Sequence, residues 1–365
     1  MKKVIAIYTI LATICWIVSP AFVGAIDTGL TKDSGSGANP IVKASWEMYP
    51  SATQGLNGRD DSTDPASQFK ASGIYDSDKT IQVCSIVTDT DGMTDINNVY
   101  ADIYYPTGIS GKPVHPTWGC GNPHGNEFLL SQLLKADGIT LVCNELQNST
   151  TNSNLITWET GYSYTEVCNP DGELMKGTAY VYCGSAVLDY EDPSGDYRTL
   201  VLAQDKSGKN GTNGTSGHPF TYLATTAYEV DFNKISYGAV KLGTTKTING
   251  NLAWDSVGTN NATVRNVGNT RLAMTVQQND MGLGMTGSDY NVSYGARLGN
   301  DAAFAPYAPN AAAKQLLAEL DLSSSNEMDF TINVSKFPVT GSDTFTGTMT
   351  LGAVYVDHLL SPCEN

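Results

Sequence analysis

The sequence predicts a mainly β protein of two β-sandwich domains, the first Ig-like with a helical insert and the second an antiparallel sandwich with one short helix. Three observations carry that expectation. Apolar and polar residues alternate with period two in segment after segment, as strands with one buried face do. Gly, Asn, Thr, Ser and Tyr are abundant while Lys and Arg together number only 21 of 365 residues, a composition suited to β-rich surface proteins. Six cysteines remain once an N-terminal leader is set aside, as in an exported, disulfide-bonded chain.

Residues 1–25 read as a secretory signal peptide. Lys2 and Lys3 form its charged start, Val4 to Val18 its apolar stretch and Val23-Gly24-Ala25 its small-residue cleavage site. Residues 26–40 are polar, Gly/Ser-rich and expected to be flexible. The first sandwich is expected over residues 40–225. Ile81 to Val87 and Val99 to Tyr105 alternate as half-buried strands around an acidic, Gly-containing turn at Asp89 to Asp95.

The period then changes. Glu127 to Leu134 has helical apolar spacing closed by Gly138, and Asn154 to Val167 predicts a second helix ended by Asn169-Pro170. These place a Cys-rich helical insert at about residues 115–175. Strands resume at Thr178 to Leu188 and Tyr197 to Gln204. Asp192-Pro193-Ser194-Gly195-Asp196-Tyr197, followed by apolar Leu200 and Leu202, is the pattern of a turn that delivers a tyrosine into a late strand of an Ig-like sandwich.

After the Ser207 to Gly217 loop, a second sandwich is expected over residues 226–356. Val230/Phe232, Leu272/Met274/Val276, Met328/Phe330/Ile332/Val334 and Phe345/Gly347/Met349/Leu351 alternate with polar residues. Ala311 to Leu320 is the helix candidate there. The tail, residues 357–365, carries Cys363.

Charge and length exclude several classes. Formal net charge is −16, and removing Lys2 and Lys3 with a leader that has no acid takes it to −18. Such a surface is a poor match for nucleic acid, which needs clustered Lys and Arg. After residue 25 no apolar run approaches the ~20 residues that span a bilayer, so no transmembrane segment is expected in the mature chain.

The disulfide candidates are Cys84, Cys120, Cys143, Cys168, Cys183 and Cys363. Five lie between residues 84 and 183, so full oxidation sends Cys363 far back along its own chain or to a neighbouring copy. Six cysteines allow fifteen pairings, and the sequence does not choose among them.

Asp89, Asp91 and Asp95 offer oxygen ligands at a spacing hard cations such as Ca²⁺ use, though without the terminal glutamate of an EF-hand. An acidic turn without an ion is the competing reading, and no other cofactor is expected. Asp189, Glu191, Asp192 and Asp196 form a second acidic cluster. His115, Cys120 and His124 lack the paired spacing of a zinc site. A Gly-x-Ser-x-Gly hydrolase turn is missing. Glycosylation sequons begin at Asn148, Asn210, Asn213, Asn261, Asn291 and Asn333. Asn291 and Asn333 fall on the polar side of alternating strands and are expected to face solvent.

Taken in order, Val87-Thr-Asp-Thr-Asp-Gly-Met-Thr-Asp-Ile, Val99-Tyr-Ala-Asp-Ile-Tyr-Tyr-Pro, Asp196-Tyr-Arg, Tyr237-Gly-Ala-Val, Val264-Arg-Asn-Val-Gly-Asn-Thr, Gln278-Asn-Asp-Met-Gly and Tyr294-Gly-Ala-Arg-Leu-Gly form a set. Over most of residues 40–356 the set resembles exported surface proteins of methanogenic archaea, associated with the tubular cell sheath. None of its strings is a catalytic signature. The resemblance implies a non-enzymatic, extracellular, S-layer-like subunit that polymerises with itself, built of β-sandwiches joined edge to edge and cross-linked by disulfides, with Cys363 the inter-subunit candidate. The alternatives are a secreted carbohydrate- or protein-binding module acting as a monomer, and an exported hydrolase using an Asp/Glu pair.

Overall fold

A computed structural model describes residues 37–49, 67–104, 114–115, 119–120, 128–132, 143, 157–190, 192–213, 217–255, 261–299, 303–339 and 343–357. The leader, the N-terminal segment up to residue 36 and the tail from residue 358 lie outside them. From Ala38 onward the chain forms one compact unit, within which the strands divide into two sets at residues 224–227.

The first set begins with β1 (Ile41–Met48), β2 (Gln68–Lys70), β3 (Lys79–Thr88) and β4 (Ile96–Tyr104). Two-residue strands β5 (Val114–His115) and β6 (Gly119–Cys120) pair with each other. β7 (Phe128–Gln132) and β8 (Thr157–Trp158) precede helices α1 (Tyr164–Cys168) and α2 (Glu173–Lys176). β9 (Ala179–Leu188), β10 (Gly195–Asp205), β11 (Asn210–Thr212) and β12 (His218–Leu223) complete the set. The main strand order is β2-β12-β10-β4-β7-β9-β3-β1-β8.

β7 folds this path into two layers. Its first residues, Phe128 to Leu130, pair with β4, while Ser131 and Gln132 pair with β9. A strand that changes sheets in this way closes one side of a sandwich. Val42, Val83, Val87 and Tyr182 of one layer then pack against Val99, Ala101, Val201 and Ala203 of the other.

The outer face of the β1–β3–β9 layer is covered as well. Ala44, Trp46, Met48, Cys84, Ile86 and Val181 lie under Val167, Leu174 and the Cys143–Cys168 disulfide. Two buried faces explain why β1 and β3 read as almost unbroken buried runs. A bulge between Val42 and Ala44 turns β1 over. At the bulge, buried Lys43 pairs with Glu166 of α1 and Glu173 of α2, and its ammonium sits 4.3 Å from the Tyr162 ring.

Two helical expectations are corrected here. Glu127 to Leu134 contains strand β7, because pairing on both sides overrides the helical spacing of its leucines. The described part of the span Asn154 to Val167 holds strand β8 and the start of a short helix, α1. The tyrosine turn forms, with the Tyr197 hydroxyl donating to the Pro193 carbonyl at 2.8 Å. The buried face of β10, however, is Tyr197, Thr199, Val201 and Ala203, and the expected Leu200 and Leu202 lie half-buried on the other face.

The second set holds β13 (Tyr228–Val230), β14 (Lys246–Ile248), β15 (Thr263–Asn266), β16 (Arg271–Gln278), β17 (Met285–Thr286) and β18 (Asp289–Tyr290). β19 (Val292–Leu298), β20 (Ala305–Tyr307), β21 (Lys314–Leu320), β22 (Ser325–Val334) and β23 (Met349–Asp357) follow. One sheet runs β13-β15-β22-β19-β20, with β14 also on β22; a second runs β21-β16-β23. Between them Leu272, Met274 and Val276 meet Phe330, Ile332 and Tyr294 in a single core. Ala311 to Leu320, expected as a helix, holds strand β21 instead, paired to β16.

Fully buried Asn269 joins the two sets. Its carbonyl accepts from Ser194 N–H, its Oδ1 accepts from Thr225 N–H, and its Nδ2 donates to the Leu223 carbonyl. The Arg265 guanidinium of β15 also meets the first set, lying 3.6 Å from the Tyr75 ring, and is 3.7 Å from that of Trp254.

Candidate cation site

The acidic turn closes where β3 gives way to β4. Gly92 N–H donates to the Asp89 carbonyl and Asp95 N–H to that of Gly92. Gly92 has φ +107°, a conformation that suits glycine. Buried Met93 anchors the turn in the core beside Val87 and Val99. The turn therefore has one fixed shape, and that shape decides which carboxylates meet.

Asp91 is not among them. It is exposed, and its Oδ2 accepts from the Ala38 N–H. Its place is taken by Asp205, the last residue of β10, which pairs with Ile96 at the start of β4 across a register irregularity. One carboxylate oxygen from each of Asp89, Asp95 and Asp205 lies within 4.8 Å of the others. Of the expected trio, Asp89 and Asp95 converge, Asp91 stands apart, and Asp205 is the carboxylate that sequence spacing does not reveal.

Asp89 is 4% exposed and Asp205 1% exposed; Asp95 is half-buried. Asp205 is well supplied with donors: Lys209 N–H at 2.7 Å and the Ser207 hydroxyl. Burial pushes its carboxyl up, but these bonds and the Gly208 N–H together hold it below the usual carboxylate range. Asp89 goes the other way. Burial raises it and the charges of Asp91, Asp95 and Asp205 raise it further, against the lowering effect of the Asp91 N–H on Oδ1. Its Oδ2 is buried with no hydrogen-bond partner among the described residues. Among the described residues no basic side chain forms an ion pair with the three. Lys206 is close by, but its ammonium donates to the Thr94 carbonyl.

Among the described residues, no other acidic candidates converge with a third ligand. Asp192 Oδ2 accepts from Asp189 N–H and Asp196 Oδ1 from the Thr221 hydroxyl, while Glu191 lies outside the described residues. His115 and Cys120 sit on the paired strands β5 and β6; their side chains, with His124, Asn148 and Cys363, are outside the described residues. Among the described residues, Cys84 is bonded to Cys183 and Cys143 to Cys168.

Among the sequons, Asn210 and Asn261 are exposed and Asn333 is half-buried. Asn213 is buried, its amide donating to the Ser45 hydroxyl and the Thr199 carbonyl. Asn291 does not face solvent as expected; it is 5% exposed and its amide donates to the Leu283 carbonyl.

A cavity of about 1130 Å³ lies elsewhere, in the second sandwich, lined by residues of β13 and β23, which the Tyr228 hydroxyl bridges by donating to the Leu351 carbonyl at 2.9 Å. Tyr228, Phe232, Tyr237, Met281, Phe337 and Phe345 are among its walls.

No protein-family model and no curated protein matches the chain. Among solved structures, a purple acid phosphatase from yellow lupin (Lupinus luteus) seeds aligns at 9% identity with a TM-score of 0.19. The alignment covers 79% of this chain, which spans 38% of that one. A TM-score so low carries no argument about fold or activity.

Proposed function

We propose that the protein is a non-enzymatic structural subunit of an extracellular envelope layer or sheath, whose copies join through sandwich edges and are locked by disulfides. The supporting observation is β23. This nine-residue, largely apolar strand ends the β21-β16-β23 sheet, pairs with β16 alone among the described strands, and leaves Val354 42% and Tyr355 48% exposed. A long, apolar, one-sided edge is a template for another strand, and proteins that work as monomers usually blunt it. The opposite edge, β21, exposes Leu317 at 66%. Two unlike edges on one sheet favour a head-to-tail contact, which propagates into rings or filaments rather than a closed dimer.

Export and oxidation fit the two disulfides. In sequence Cys363 follows the end of β23 by six residues, which makes it the candidate for the inter-subunit bond. Non-reducing electrophoresis of native surface material tests the cross-link: high-mass ladders should collapse on reduction and weaken in Cys363→Ser. A monomer band under both conditions would defeat it.

The aromatic-lined cavity favours a second reading, a secreted carbohydrate- or protein-binding module. It predicts a monomer that is retained on immobilised glycans and released by Tyr237→Ala.

A further inference from the structure

We infer that Asp89, Asp95 and Asp205 bind one Ca²⁺ ion, which ties the turn between β3 and β4 to the end of β10. Convergence of the three carboxylates is the first observation. The second, independent of it, is Asp89 Oδ2: a buried acceptor with no donor on a side chain 4% exposed. Buried carboxylates are ordinarily paired, hydrogen-bonded or bound to metal. Here Oδ1 takes the Asp91 N–H and Oδ2 takes nothing from the described protein groups, so the oxygen left over suits a cation.

The donor set is all carboxylate oxygen, which selects a hard cation over zinc or copper. Three protein carboxylates leave room for water in the six to eight positions Ca²⁺ accepts, and Ca²⁺ tolerates irregular geometry better than Mg²⁺. The ligands come from two connections far apart in sequence and fixed to one another by the β4–β10 pairing. An ion there cross-links two turns of the first sandwich. The inference stands apart from the subunit reading, since a monomer could bind the same ion.

The test uses the intact, oxidised mature chain, stripped with EGTA and titrated with CaCl₂ by calorimetry and thermal melting. One ion per chain should bind with a Kd of about 10⁻⁴–10⁻³ M, the range of extracellular modules. The melting temperature should climb with calcium and not with NaCl at equal ionic strength. Asp95→Asn, at a half-buried position, should fold and lose the binding, while Asp91→Asn should keep it. In EGTA, Asp89→Asn should melt at or above the wild type, because it removes one of three like charges; in calcium the order should reverse. No binding by the wild type, binding that survives both Asp89→Asn and Asp95→Asn, or an unchanged melting order would overturn the assignment.

Discussion

Cys84 and Cys183 stand directly opposite each other on adjacent strands of one layer, β3 and β9, with Cα atoms 4.2 Å apart. The bond is therefore a cross-strand staple within a sheet, not the tie between sheets of an antibody domain. It lies on the face covered by the insert, in the same cluster as the Cys143–Cys168 bond. It also closes a loop of sequence separation 99, which contains the whole insert.

Loop length and burial together set its expected worth. The Cys84→Ala/Cys183→Ala double variant should lose about 2–4 kcal/mol of stability. Urea unfolding of both proteins under non-reducing conditions measures this. A midpoint unchanged within error would show that strand pairing alone fixes this part of the sheet.

Glu47 and His218 form a fully buried pair between β1 and β12. Glu47 Oε1 and His218 Nε2 have no hydrogen-bond partner among the described residues, so the pair is incompletely satisfied there. Removing one partner strands the other: Glu47→Ala or His218→Ala should cost about 3–5 kcal/mol. Replacing both with leucine should recover most of that loss, because no polar group is then left buried. A double-mutant cycle by chemical denaturation checks the sign of the coupling.

The chain should also be sensitive to alkali. Burial, with a smaller contribution from Tyr180, pushes the Tyr182 hydroxyl up to about 12. Burial likewise raises Tyr237, Tyr294 and Tyr307 in the second core, where Tyr237 and Tyr307 donate to the Gln278 amide oxygen and the Tyr294 ring stacks on both. A raised phenol keeps its proton in the folded state after the unfolded chain has lost it. Stability from this source is complete below the ordinary value of 10 and falls as pH rises from there toward 12. Absorbance titration near 295 nm should show these phenols ionising together with unfolding, and Tyr182→Phe should flatten the loss.

Local chemistry made several features legible in the sequence. Asp192 to Tyr197 encodes a turn and a bond within six residues, and the Tyr197–Pro193 contact follows from them. Alternation announced strands, as at Leu272, Met274 and Val276, which turn together into the second core. What the sequence concealed was tertiary. The apolar residues of Phe128 to Gln132 fit either a helix or a strand, and pairing with β4 and β9 decides. Asp205 is 110 positions from Asp95, and only the β4–β10 register brings them together. Asn291 lies in an alternating segment but is drawn inward by the Leu283 carbonyl.

The subunit reading is tested most directly by the mass of the purified, oxidised mature chain in solution, measured by light scattering as concentration rises, beside that of Val354→Lys. A charge in the middle of an edge strand blocks strand addition without touching the core. The account predicts that the wild type grows into large species while Val354→Lys, with an unchanged circular dichroism spectrum, stays at the mass of one chain. A wild type that remains a single chain at every concentration would contradict it.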